Sequence, residues 1–130
     1  MHPKIRRMLP SDERFIHSSW HTSFWKTGAS KKVDKALYNK WQDWRIKRLL
    51  ANCRTLVAYL EEVPDEILGW SCSAPEILHY VYVKGVYRRN GIAKGLVPSD
   101  CVFYTHATDT IGGLFMKKMN LKYNPYLELL

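Results

Sequence analysis

Seven residues constrain this chain more than any others. Ile77-Leu78-His79-Tyr80-Val81-Tyr82-Val83 is a run of β-branched and aromatic side chains, the composition that favours a pleated strand. It leads into Lys84-Gly85-Val86-Tyr87-Arg88-Arg89-Asn90-Gly91-Ile92-Ala93-Lys94. A strand that yields to a turn and then a helix presents unpaired backbone N–H groups and the positive end of a helix dipole. Small residues at Gly91 and Ala93 let an anion approach the main chain closely. Arg88, Arg89 and Lys94 add positive charge. This spacing suits a pyrophosphate seat, and it also suits a plain structural turn.

The rest of the chain alternates helix and strand signals. Lys4 to Leu9 reads as a short strand, and Ser11 as the N-cap of a helix over 12–25 built on Phe15, Ile16, Trp20 and Phe24. A second helix starts near Ser30 or Asp34 and runs to about Ala51, with Leu37, Tyr38, Trp41, Trp44 and Leu49 as its apolar stripe. Residues 54–60 and 67–73 read as a hairpin. After the strand at 77–83 come a short helix stopped by Pro98, a strand at 101–105, a helix from Thr108 or Asp109 to Met119, and an extended piece at 121–129. The expected order is β-α-α-β-β-β-α-β-α-β, an α/β fold with a mixed, mostly antiparallel central sheet flanked by helices.

Composition removes several classes. The 130 residues fit one domain, 1–130. With 46% hydrophobic and 25% charged residues the chain is not disordered. No uncharged apolar run reaches the ~18 residues of a membrane helix, and no apolar signal segment follows the basic N-terminus. Cys53, Cys72 and Cys101 are odd in number and widely spaced, which reads as reduced thiols in a cytoplasmic protein. Neither they nor His17, His21 and His106 have metal-ligand spacing, so no metal is expected.

The net charge of +8 sits in one part of the chain: residues 1–54 hold 13 basic and 4 acidic side chains, and residues 55–130 hold 7 and 8. That asymmetry points to an anionic partner for residues 1–54, or to a solvated helix surface. Trp20, Trp25, Tyr38, Trp41 and Trp44 among the basic groups would suit nucleic-acid stacking, but at helical spacing they read first as core.

The stretch Val83 to Ala93 resembles the coenzyme A-binding signature of the GNAT N-acetyltransferase superfamily. Ile5-Arg6-Arg7-Met8-Leu9-Pro10-Ser11-Asp12 is similar to the superfamily's first strand and helix entry. Residues 109–121 are similar to its last helix, and the element order over nearly the whole chain is similar too. The resemblance implies a compact, divergent member that moves an acetyl group from acetyl-CoA to an amine. It implies that the backbone N–H groups of Arg89, Asn90, Gly91, Ile92, Ala93 and Lys94 hold the pyrophosphate, with Arg88 adjacent. It implies that the backbone of Val81, Tyr82 and Val83 pairs with the pantetheine amides in a splay beside the strand at 101–105. Asp109 falls where the family carries an Asn near the cofactor, and Met116 where it carries the Tyr that protonates the leaving thiolate. Tyr104, Tyr123 or Tyr126 then becomes the replacement acid. Glu76, His79, Tyr80 and Tyr82 are the base candidates. The acceptor is expected on a protein or other macromolecule, with the oligomeric state open and a dimer included. Two other functions compete: a coenzyme A-binding module that docks to a partner without turnover, and a basic nucleic-acid-binding protein.

Overall fold

A computed structural model describes residues 2–27, 30–108 and 110–129. Six strands form one sheet in the order β1 (Lys4–Arg7), β2 (Arg54–Tyr59), β3 (Gly69–Ala74), β4 (Ile77–Val83), β5 (Phe103–Tyr104) and β6 (Lys122–Tyr123). Pairing is antiparallel through β4 and parallel for β4–β5 and β5–β6. The helices are α1 (Glu13–Trp25), α2 (Lys35–Asn52), α3 (Ile92–Leu96) and α4 (Thr110–Lys118). The expected element order is the observed one.

Apolar side chains on opposite sheet faces sort the helices into two layers. Ile16, Trp20 and Phe24, spaced four apart on α1, pack with Tyr38, Ile46 and Leu49 of α2 against Val57, Trp70, Cys72 and Tyr80. On the other face Ile92 and Leu96 of α3 cover Ala58 and Leu68, while Met116 of α4 joins Leu78, Val97, Cys101 and Leu121. The first layer is aromatic at its centre: the Trp20 ring stacks on Tyr80 at 5.3 Å and lies 5.2 Å from both Trp70 and His106. Trp70 Nε1 donates to Ser19 Oγ at 2.8 Å and Ser23 Oγ lies 2.8 Å from the Tyr80 hydroxyl, while the buried Trp20 Nε1 has no hydrogen-bond partner among the described residues.

Three local expectations are corrected. Ser11 does not cap α1. It lies in a 3-10 turn over Pro10–Asp12. Asp12 is the N-cap of α1 by position, but its side chain caps the 3-10 turn instead, accepting the Leu9 N–H at 2.7 Å and two bonds from the Arg6 guanidinium. The α2 stripe is rotated: Leu37, Trp41 and Trp44 are exposed, and Tyr38, Gln42, Ile46, Leu49 and Leu50 face inward. Of its two expected starts, Asp34 is the cap, accepting from the N–H groups of Ala36 and Leu37. The extended piece at 121–129 is a two-residue strand followed by a 3-10 turn, Pro125–Leu129, where Asn124 Oδ1 accepts the Tyr126 N–H.

Candidate active site

The site begins with a bulge in β4. Cys72 pairs with Tyr80 and Ser73 with Leu78, so His79 has no opposite number on β3. Below the bulge, the Glu76 and Leu78 carbonyls face β5: Glu76 O accepts the Phe103 N–H and Leu78 O the Thr105 N–H, at 3.1 and 3.2 Å. Above it, the Lys84 N–H donates back toward β3, to Leu68 O at 2.9 Å. Backbone groups of alternate residues point to alternate edges. The bulge shifts that alternation by one, and the polar groups of Val81 and Val83 therefore point away from β3. β5 ends at Tyr104 and offers them no partner. The result is an open strand edge between the departing strands, with Arg88 Nε on Val83 O at 3.2 Å at its far end.

The turn after β4 is built from a 3-10 segment, Gly85–Tyr87, and two left-handed residues, Arg89 (φ 67°) and Gly91 (φ 75°). Asn90 Nδ2 ties it by donating to the carbonyls of Tyr87 and Arg88. The main chain of residues 89–94 is left with its donors unpaired. Among the described residues, none of the six N–H groups from Arg89 to Lys94 donates a hydrogen bond, whereas those of Arg88 and Gly95 do. A methyl group built on Gly91 would meet no atom within 4 Å, so the left-handed turn faces open space. Six unclaimed N–H groups beside an unpaired strand edge are a main-chain seat for an oxyanion with an extended amide chain alongside. The residues present fit the group implied by the signature.

Around the other end of the splay lies a buried polar network that sequence reading missed. Arg45 Nη1 donates to Gln42 Oε1 at 3.3 Å, which leaves Gln42 Nε2 as the donor to His106 Nε2 at 3.2 Å. His106 Nδ1 then carries the proton and faces Glu128 Oε1 at 3.3 Å. Full burial, with Arg45 beside it, pushes the His106 imidazole well below its usual range, so it is neutral. Thr105 Oγ1 links it to His79 Nδ1, at 3.3 and 2.8 Å. The bonds that join α2, β4, the 105–106 segment and Glu128 span tens of residues in the chain, and no local spacing signals them.

The expected site residues fall into separate places. Val81 and Val83 lie on the open edge, Tyr82 turns its backbone to β3, and Arg88, Arg89, Asn90, Gly91, Ile92, Ala93 and Lys94 form the turn and the start of α3. Asp109 lies outside the described residues. Tyr104 packs against the same cluster as Val81 and the buried Met116, and its hydroxyl makes no hydrogen bond among the described residues. His79 is buried at the bulge and bonded to Thr105. Glu76 stands in the exposed β3–β4 turn with φ 67°, at the end of β4 where β5 is still paired. It is not brought to the open edge. Cys53, which no reading had singled out, caps α2 beside Cys72: the Leu49 carbonyl accepts the Cys53 N–H at 2.9 Å and lies 3.9 Å from Cys72 Sγ. No group of described residues could hold a metal ion.

Comparison with solved structures places this arrangement. The chain superposes on the PaiA N-acetyltransferase from Thermoplasma acidophilum in complex with coenzyme A, with a TM-score of 0.60 at 19% identity, over 91% of this chain and 88% of that one. The chain has the GNAT fold. The apo form of YjaB from Escherichia coli matches with a TM-score of 0.55 at 18% identity, over 74% of this chain and 62% of that one. A GCN5-related N-acetyltransferase from Rhodopseudomonas palustris matches with a TM-score of 0.52 at 19% identity, over 74% and 61%. The chain thus spans about three fifths of the latter two GNAT-fold proteins. No family model matches the sequence, and no curated protein matches it significantly. No helix among the described residues is long and apolar enough to cross a membrane.

Proposed function

We propose that this chain is an N-acetyltransferase that moves an acetyl group from acetyl-CoA to an amine. The observation that carries the reading is the row of six unclaimed N–H groups at residues 89–94 beside the unpaired edge of Val81 and Val83. The 89–94 main chain binds the pyrophosphate, with Arg88, Arg89 and Lys94 adding charge. Val81 and Val83 pair with the pantetheine amides as a strand would, and an N–H of that edge polarises the thioester carbonyl. The acceptor amine attacks as the free base, its nitrogen sheds a proton to solvent, the carbon–sulfur bond breaks, and the thiolate takes a proton that solvent then returns to the donor. Tyr104 is the group we assign to supply it, because it shares a cluster with Val81 and its hydroxyl is uncommitted. Coenzyme A co-purifying with the protein by mass spectrometry, and acetyl-CoA-dependent thiol release with an amine, are the expected results. A protein that does not bind coenzyme A by calorimetry overturns the reading.

One observation favours a second reading, a coenzyme A-binding module without turnover. Met116, at the position expected to donate the proton, is 4% exposed and has no proton to give. Binding of coenzyme A with no thiol release across an amine panel selects the module. A Tyr104→Phe variant that binds coenzyme A normally but transfers more slowly selects the enzyme.

A further inference from the structure

The α2 side of the sheet holds a cavity of about 430 Å³, in the size class of small-molecule sites. Phe24, Leu37, Tyr38, Trp41 and Tyr123 form its apolar walls, and Thr105 borders it. Thr105 is also the last residue to bond β4 before the splay opens. The cavity and the proposed thioester position therefore meet at one residue.

The walls account for an otherwise costly feature of the surface. Leu37, Trp41 and Tyr123 are 51%, 53% and 50% exposed, and all three turn that surface to the same concavity. Its charge is one-sided. Among the described residues its one ionic lining side chain is Arg45, which is committed to Glu128. Lys40 at the rim sits 5.1 Å from the Trp41 ring. An aromatic or branched aliphatic body entering here would cover three half-exposed apolar side chains, which a polycation without such a body would leave exposed to water.

We infer that the cavity receives the acceptor, and that the acceptor is a small primary amine on an aromatic or bulky aliphatic body with no second cation. The inference rests on the acetyl-transfer reading for its chemistry, but its binding component is measurable without acetyl-CoA. It replaces the macromolecular acceptor expected from the charge of residues 1–54.

The test uses 2-phenylethylamine, spermidine and a lysine-rich peptide as probes. Calorimetry without coenzyme A should detect 2-phenylethylamine and neither cationic probe, and thiol release with acetyl-CoA should follow the same order. Trp41→Ala and Leu37→Ser lie on an exposed helix face and should leave folding and coenzyme A affinity unchanged. Each should weaken 2-phenylethylamine about tenfold, the equivalent of losing one apolar contact surface. Preference for spermidine or the peptide, or unchanged amine affinity in both variants, overturns the inference. Failure to bind coenzyme A overturns the acetyl-transfer reading alone, because amine binding is read separately.

Discussion

Arg45 grips Glu128 with two parallel hydrogen bonds, Nε to Oε2 at 2.7 Å and Nη2 to Oε1 at 2.6 Å. The pair ties the 3-10 turn at 125–129 to the middle of α2, and Arg48 adds a bond to the Glu128 carbonyl. The Glu128 side chain is 11% exposed, so its removal strands a partly buried guanidinium. Glu128→Gln should lower stability by about 2–3 kcal/mol, somewhat less than breaking a fully buried pair. Urea denaturation checks this. The double variant with Arg45→Met should recover part of the loss.

Gly91 is left-handed, and nothing lies near its missing side chain. Gly91→Ala should therefore cost only about 1–2 kcal/mol of backbone strain. Gly91→Glu should cost similar stability but abolish coenzyme A binding, because a carboxylate would compete for the 89–94 N–H groups. Calorimetry against thermal melting separates the two effects. Equal coenzyme A affinity in both variants would remove the phosphate seat from this turn.

Asp12 should govern part of the acid sensitivity. Burial raises its carboxyl, but the Arg6 bond and the Leu9 N–H outweigh burial and hold it below the ordinary carboxylate range. A depressed folded value means the stabilisation is present above the unfolded carboxylate pKa, ~3.9, and is lost as pH falls through the lower folded value. Melting temperature measured from pH 5 to pH 2 should fall less steeply in Asp12→Asn. That variant should already be about 1.5–3 kcal/mol less stable at pH 7, the worth of bonds to a charged group.

Cys53 should be the reactive thiol. The adjacent Cys72 thiol, with His79 and Arg48 nearby, holds Cys53 well below an ordinary thiol, against the opposing effect of its own burial. Cys72 moves the other way through the same contact and its burial, and burial with nearby Asp100 pushes Cys101 up to about 11. At pH 6.5, where a free thiol of pKa ~8.5 is about 1% ionised, iodoacetamide should label Cys53 first. Peptide mapping reads the order, and Cys101 labelling first would contradict it.

What was legible depended on whether the signal was local. The strand at 77–83 announced itself because seven consecutive residues share one preference, and Pro98 stops α3 as its ring requires. The turn at 88–94 was legible as a pattern, though only coordinates reveal that its N–H groups are unclaimed. α2 misled because residue type stood in for burial. Trp41 and Trp44 read as core, yet polar Gln42 is the buried one, since His106 bonds it from 64 residues away. A separation of 83 residues hid the Arg45–Glu128 pair in the same way. Ser11 and Asp12 are both good capping residues, and Arg6 on the adjacent strand, six residues away, engages Asp12 rather than Ser11.

The bulge at His79 has a consequence beyond ligand seating. It leaves the main-chain polar groups of Val81 and the Val83 N–H on β4 without a strand partner, which is a template for any extended segment that drifts near. Molecules whose groove is empty can zip together along this stretch at high concentration. Bound coenzyme A would act as a guard against such self-pairing, and stock solutions should stay clear longer when it is added.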